Sequence, residues 1–388
     1  MKNIGTEFVR LAESAIQKIP FAVAISFLGL CSMTHAAGSE IVPGAAWHDE
    51  GGALIQAHGG GVLKHGDTWY WYGEDKRNGY FPAPGVSCYS SRDLVNWKNE
   101  GLACSNWVQN GESIVPNTPA TYRSVGESGH VERPKVIYND RTGMFVMWMH
   151  LEYFVKGVDV IYPFSSAGVA VSESPTGPFR FVDCFRPIPA ELHLQYSGRR
   201  GAEQSERGST FRDMTLFKND DGKAYVVYAA ESNYTMHIAQ LTDDYCGVRK
   251  PVADKTWNRI LIDEHREAPA MFKHSGKYYL ITSGCSGWMP NAARLSAAET
   301  ILGPYANMGN PCRGAEADTT FGSQGTFILP IDPERGSFIF MADRWQPGKI
   351  GESTYVWLPF TVEDDEEPMI EWMDFWNLSF FEKHGNAN

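Results

Sequence analysis

Arg212-Asp213-Met214-Thr215-Leu216-Phe217, then Asn219-Asp220-Asp221-Gly222, then Lys223-Ala224-Tyr225-Val226-Val227-Tyr228 is the stretch that decides the fold. A polar residue heads a short apolar run, a Gly-containing turn reverses the chain, and a second, aromatic-bearing run follows. This is a β-hairpin pattern. The same unit recurs four more times. Gly59-Gly60-Gly61-Val62-Leu63 leads through Gly66-Asp67 to Thr68-Trp69-Tyr70-Trp71-Tyr72. Glu132-Arg133-Pro134-Lys135-Val136-Ile137-Tyr138 leads through Asn139–Gly143 to Met144-Phe145-Val146-Met147-Trp148. Arg266-Glu267-Ala268-Pro269-Ala270-Met271-Phe272 leads through His274-Ser275-Gly276 to Lys277-Tyr278-Tyr279-Leu280. Gln324-Gly325-Thr326-Phe327-Ile328-Leu329 leads through Asp332–Gly336 to Ser337-Phe338-Ile339-Phe340-Met341.

Further strand-like runs follow most copies: Gly85–Ser90, Gly168–Ser172 and His237–Leu241. Turn signals punctuate them at Ser91-x-Asp93-x-x-x-Trp97, Thr176-Gly177-Pro178-Phe179 and Leu302-Gly303-Pro304-Tyr305. Five units of roughly four strands each predict an all-β chain folded as a five-bladed β-propeller. A β-sandwich is the competing architecture, but it gives no reason for a polar residue to recur at the head of equivalent strands. The longest gap between copies, from Glu132 to Asp213, holds a polar stretch from Pro187 to Thr210 that reads as an inserted loop, and residues 105–130 read the same way.

Composition agrees. Of 388 residues, 43% are hydrophobic and 21% charged, which is a globular balance. The 38 Gly and 22 Pro suit many turns; the 12 Trp, 17 Tyr and 21 Phe suit either strands or a sugar-stacking surface. A net charge of −12 argues against a nucleic-acid or anionic-membrane partner. Residues 1–36 read as a secretory signal: Lys2, Arg10 and Lys18 precede an apolar run from Pro20 to Met33, followed by Thr34-His35-Ala36. That run is shorter than the roughly 20 residues a membrane span needs. The expectation is a secreted or periplasmic protein without a membrane span, with residues 37–388 as the propeller. Six cysteines follow the signal (Cys88, Cys104, Cys184, Cys246, Cys285 and Cys312), and none has zinc-site spacing.

The innermost strand of a propeller blade lines the central channel. The polar residues heading the repeats, Glu132, Asp213, Glu267 and Gln324, are therefore expected to converge at one end of it, with Gln56, His58 and three glycines contributed by the first repeat. Crowded carboxylates push at least one pKa upward, which yields a protonated acid beside ionised groups. Arg133, Arg212 and Arg266 adjoin these acids, but alternation along a strand points neighbouring side chains to opposite faces. A protonated acid, polar partners and an aromatic rim suit glycoside hydrolysis. No phosphate loop, nucleophile elbow or metal-binding His pair competes.

These residues resemble glycoside hydrolase family 43 over roughly residues 50–380. Asp213-Met214-Thr215-Leu216-Phe217 with Asp220-Asp221-Gly222-Lys223 is similar to the segment of the family's pKa-modulating aspartate. Glu267-Ala268-Pro269 with Lys277-Tyr278-Tyr279-Leu280 is similar to its general-acid segment. The usual aspartate base opening the first blade is missing; that region reads Ala57-His58-Gly59-Gly60-Gly61. This departure, with Glu132-Arg133-Pro134-Lys135, Gly284-Cys285-Ser286-Gly287-Trp288 and Gly322-Ser323-Gln324, resembles the exo-β-1,3-galactanase branch. The resemblance implies Glu267 as acid, Gln324 as base, Asp213 as modulator, Glu132 as a sugar or water ligand, and inversion at the anomeric carbon. A neutral amide is a poor base, so Gln324 would act as its imidic-acid tautomer or orient water, with Glu132 as the alternative base.

Glu74, Tyr162, Asn233, Ser286, Trp288 and Trp345 are the candidate substrate contacts, lying where repeats or loops end. Trp288 is either a stacking platform or a core residue. No cofactor is required; calcium occurs in the channel of some family members, but no acidic calcium loop is visible here. The implied partner is a plant-type oligo- or polysaccharide of the arabinogalactan kind. An α-L-arabinofuranosidase or β-xylosidase of the same fold, and a non-catalytic sugar-binding propeller, are the alternatives.

Overall fold

A computed structural model describes residues 39–80, 83–118, 128–155, 159–160, 164–197, 207–363 and 366–384. The expected signal segment and Tyr162 lie outside them. Five antiparallel sheets succeed one another along the chain, each the meander that its hairpin began. Blade one is His58–His65, Thr68–Glu74, Gly85–Ser91 and Lys98–Ser105. Blade two is Ser128–Asn139, Met144–Val155, Ser166–Ser172 and Arg180–Phe185, and blade three is Met214–Lys218, Ala224–Ala230, Thr235–Gln240 and Trp257–Ile260. Blade four is Arg266–His274, Lys277–Gly284, Arg294–Ala298 and Ala306–Gly309; blade five is Gln324–Asp332, Ser337–Arg344 and Thr354–Thr361. The first strand of each blade packs against the first strand of the next, and that of blade five against that of blade one, which closes the five-bladed propeller.

The turn residues set the hairpin register. His274 pairs with Lys277, so Ser275 and Gly276 are the two central residues of the turn, both with positive φ (46° and 79°). That type I′ geometry matches the right-handed strand twist.

The hydrophobic core is not one mass but five layers, one between each pair of neighbouring blades. Strand alternation builds them. In blade three, Val226 and Tyr228 face blade two, and Tyr225 and Val227 face blade four. Such a strand is covered on both faces, so it reads as an unbroken apolar run. Between blades five and one, Trp71, Trp97 and Trp357 are essentially fully buried and meet edge-on or tilted. The start of the unit seals the ring here: Ile41 and Trp376 exchange backbone hydrogen bonds of 2.7 and 3.0 Å, and the Gly44 N–H donates to the Tyr355 carbonyl at 2.7 Å.

Two expected loops carry more structure than their composition indicates. Within Pro187 to Thr210, Ala190–Ser197 is helical. Within 105–130, Val108–Gln109 pairs with Glu112–Ser113, and the inner strand of blade two already starts at Ser128. Polar residues mask both because a short surface element needs little apolar periodicity. The six cysteines are free thiols, four of them buried. Among the described residues, no helix is long and apolar enough to cross a membrane.

Candidate active site

The polar heads of the inner strands do converge. Glu132, Asp213, Glu267 and Gln324 line one cavity of about 180 Å³, together with Glu74, Lys76, Tyr80, Arg133, Arg212, Trp288 and Trp345. A local backbone device aims them. The inner-strand ladder of blade two shifts register between Glu132 and Lys135, and that of blade four between Glu267 and Ala270. Both bulges spell Glu-x-Pro, and the middle residue is left-handed: Arg133 at φ 52° and Ala268 at φ 52°. Proline cannot donate to a ladder, so it settles at a bulge, and the bulge re-aims its neighbours.

Each left-handed residue turns its N–H onto an acid of the preceding blade. Arg133 N–H donates to Glu74 Oε1 at 3.0 Å, and Ala268 N–H to Asp213 Oδ2 at 3.0 Å. Gly59, at φ 58°, repeats the arrangement by donating to Asp343 Oδ2 at 2.9 Å. Blade one reaches this conformation with glycine, and a Cβ at Gly59 would come within 2.3 Å of Glu74 Oε1. Asp343, with its partner His58 at 3.2 Å, is thus the carboxylate held against the first-blade strand head, where the sequence itself offers none.

The bulge also corrects the expectation for the arginines. Alternation places Arg133 away from the acids, but the extra residue returns it to the channel. Its Nη2 donates to Gln324 Oε1 at 2.5 Å and lies 3.1 Å from Asp213 Oδ2. Arg266 follows the expectation, bonding Thr282 at 3.0 and 2.7 Å.

Glu267 Oε1 accepts from Gln324 Nε2 at 2.9 Å and Oε2 accepts from Asn233 Nδ2 at 3.2 Å. Burial and the neighbouring Asp213 charge push its carboxyl up to about 7, against the opposing pull of Arg133, Arg212 and the Gln324 hydrogen bond. Glu132 is the opposite case. Burial resists its ionisation, but His130 at 2.9 Å and His150 at 3.0 Å hold its carboxyl well below the usual range. Tyr80 also donates to Glu132 at 2.6 Å. His150 also meets Glu152 at 2.8 Å. Burial alone would lower the imidazole, but the carboxylates on either side lift it to about 9.

Glu132, His150 and Asp213 bring ligand-type atoms within 4.8 Å of one another. In this arrangement His150 lies between the Glu132 and Glu152 carboxylates, at 3.0 and 2.8 Å.

The candidate substrate contacts divide. Glu74 lies in the cavity floor but is held by Lys76 at 2.6 Å and the Arg133 N–H. Asn233 touches the acid. Trp345 lines the wall and donates to Gln324 Oε1 at 3.1 Å. Trp288 stands at the mouth, 44% exposed, edge-on to Tyr80 and Trp345, and is no core residue. Ser286 spends its hydroxyl within its own loop, donating to the Met289 carbonyl at 2.5 Å and accepting from Asn291 at 2.6 Å. Arg133 and Arg212, expected to turn away, both line the cavity, and Tyr80, Lys76 and Asp343 line or support it without having been singled out. The repeated Glu-x-Pro was the available signal for Arg133; Tyr80, Lys76 and Asp343 sit on the second strands of blades one and five or just beyond them, and carry no spacing cue.

Residues 142–327 match glycosyl hydrolases family 43. A β-1,3-galactosidase of that family, solved with galactodeoxynojirimycin, is 42% identical and superposes with a TM-score of 0.75, covering 87% of this chain and 100% of that one. The chain belongs to glycoside hydrolase family 43. Members of this family are glycosidases. An exo-β-1,3-galactanase from Clostridium thermocellum is 36% identical with a TM-score of 0.70, covering 87% of this chain and 66% of that one. An extracellular exo-α-(1→5)-L-arabinofuranosidase from Cellvibrio japonicus is 22% identical over 249 residues. The match spans 60% of this chain and 60% of that curated relative.

Proposed function

We propose that this family 43 protein is an inverting exo-β-1,3-galactanase acting on arabinogalactan-type polysaccharide, exported to the periplasm or the exterior. The observation that carries the reading is Glu267. It is a carboxyl poised near neutrality between Asp213 and Gln324, in a cavity smaller than the ~300 Å³ at which pockets for drug-sized ligands begin. A cavity of that size takes a single terminal sugar, which suits exo action. The N-terminal basic and apolar run, and the extracellular relative, support export.

In this mechanism Glu267 gives its proton to the glycosidic oxygen as the bond to the anomeric carbon breaks. Burial and the neighbouring Asp213, itself held by Arg133 and the Ala268 N–H, keep Glu267 protonated until that moment. A water adds to the opposite face of the ring. Gln324 stays an amide, its Oε1 taking Arg133 and Trp345 and its Nε2 donating to Glu267 and Ser283; it helps orient the water, whose proton leaves to solvent. Glu132, held by Tyr80 and paired with His130 and His150, accepts hydroxyls of the bound sugar. Trp288 offers the leaving chain an aromatic face.

The test is product analysis on β-1,3-galactan with the anomer followed by NMR. Release of α-galactose from chain ends supports the reading, and release of β-galactose or of internal fragments overturns it. The arabinofuranosidase likeness favours arabinan as the second substrate; arabinose release without galactose would establish that reading instead.

A further inference from the structure

Arg133 reaches the catalytic cluster because of a bulge, and its contacts decide something that the positions of the acids alone do not. The guanidinium donates to Gln324 Oε1 at 2.5 Å and to the Gly325 carbonyl at 3.3 Å, lies 3.1 Å from Asp213 Oδ2, and sits 6.0 Å from the centre of the Trp345 ring. Guanidinium and indole nitrogens only donate. The Gln324 atom facing both Arg133 and Trp345 must therefore be oxygen. Its nitrogen then points the other way, donating to Glu267 at 2.9 Å and to Ser283 at 3.0 Å.

We propose that Arg133 is a positioning residue for the hydrolysis: it locks the Gln324 amide with its nitrogen toward Glu267 and ties Gln324 to Asp213. The proposal rests on the reading of Glu267 as the acid. The backbone beneath the guanidinium is itself clamped. Glu74 takes the Arg133 N–H, and the buried Lys135 ammonium donates to the Gly59 carbonyl at 2.8 Å and the Arg133 carbonyl at 3.4 Å. A preorganised fork of this kind engages two acceptors at a lower entropic cost than a flexible ammonium.

The sign of the electrical effect follows from who faces Glu267. Asp213 and Arg212 face it from blade three, Arg133 from blade two, Gln324 from blade five, and Cys285 from the loop after its own hairpin. Arg133 favours the ionised carboxylate directly, and it also offsets the Asp213 charge that opposes ionisation. Both effects lower the pKa of Glu267. Removing the guanidinium raises it, so the pH at which activity falls for want of a protonated acid moves upward.

The experiment compares Arg133→Met and Arg133→Lys with the unaltered chain, reading kcat, KM and the pH profile on β-1,3-galactobiose, with thermal melts confirming the fold. Arg133→Met is expected to lower kcat about tenfold or more and to move the basic limb up by about one pH unit. Arg133→Lys keeps the charge and loses the fork, so its limb returns toward that of the unaltered chain while kcat stays low. A Met variant whose limb is unmoved or moves down shows Arg133 to be packing only and overturns the proposal. If the Met variant does not fold, Arg133→Gln is read by the same criteria. Glu267→Gln, measured alongside, keeps the two readings apart: substantial activity in it removes the acid assignment itself, whatever the Arg133 variants do.

Discussion

Glu267 and Gln324, 57 positions apart in sequence and on the inner strands of adjacent blades, are joined by a 2.9 Å hydrogen bond from the amide nitrogen to the carboxyl oxygen. The bond fixes the Gln324 amide directly against the candidate acid. It depends on the inner strand of blade five packing beside that of blade four, and on the bulge at Glu267-Ala268-Pro269 that lifts the carboxyl out of the strand alternation.

Glu267→Gln keeps the shape and removes the transferable proton. Loss of a general acid costs about 10²- to 10⁴-fold in kcat on β-1,3-galactan. Binding of galactose, measured by calorimetry, is expected to persist.

The basic limb of the kcat/KM profile is expected near pH 7, because burial and Asp213 set the Glu267 carboxyl at about 7. The acid works protonated, so activity falls as pH rises through that value. Asp213→Asn removes the raising charge and moves the limb to lower pH, which a profile of the variant checks.

Trp288 stands exposed at the mouth, so Trp288→Ala removes stacking and little else. Roughly 0.5–1.5 kcal/mol of aromatic contact corresponds to an increase of about two- to tenfold in KM for galactan. Hydrolysis of a galactoside with a small leaving group is expected to change less.

The His150 contribution to folding stability is expected to fall as pH rises from about 6.5 to about 9, while Lys135, lowered by burial to about 7 from 10.5, contributes in the opposite direction above pH 7. His150 is raised to about 9 in the folded chain from 6.5, so the folded state holds that proton more tightly. The stabilisation is complete below 6.5 and is lost as pH passes 9. The raised Glu267 acts in the same direction from 4.5 to about 7. Thermal melts of His150→Gln against the unaltered chain across this range isolate the His150 slope.

Trp71, 1% exposed and in ring contact with Trp47, Tyr89, Trp97, Tyr355 and Trp357, anchors the layer that closes the ring. Trp71→Ala is expected to cost about 3–5 kcal/mol, read by urea denaturation.

The sequence by itself determined the five hairpins, and through them the propeller and the convergence of Glu132, Asp213, Glu267 and Gln324. The physical reason is local: strand alternation, turn residues and a repeated polar head are all written in adjacent residues. It also carried the aromatic excess, most of which packs between blades, as at Trp71, Tyr72, Tyr278 and Tyr279. Only the tertiary structure decided which polar groups meet. Arg133 enters the site because a bulge overrides the two-residue period. Asp343 serves blade one from blade five, and Glu132 and Glu152 come to flank His150 only on folding. Those outcomes depend on distances between blades and on burial, and neither is a property of any stretch of sequence read alone.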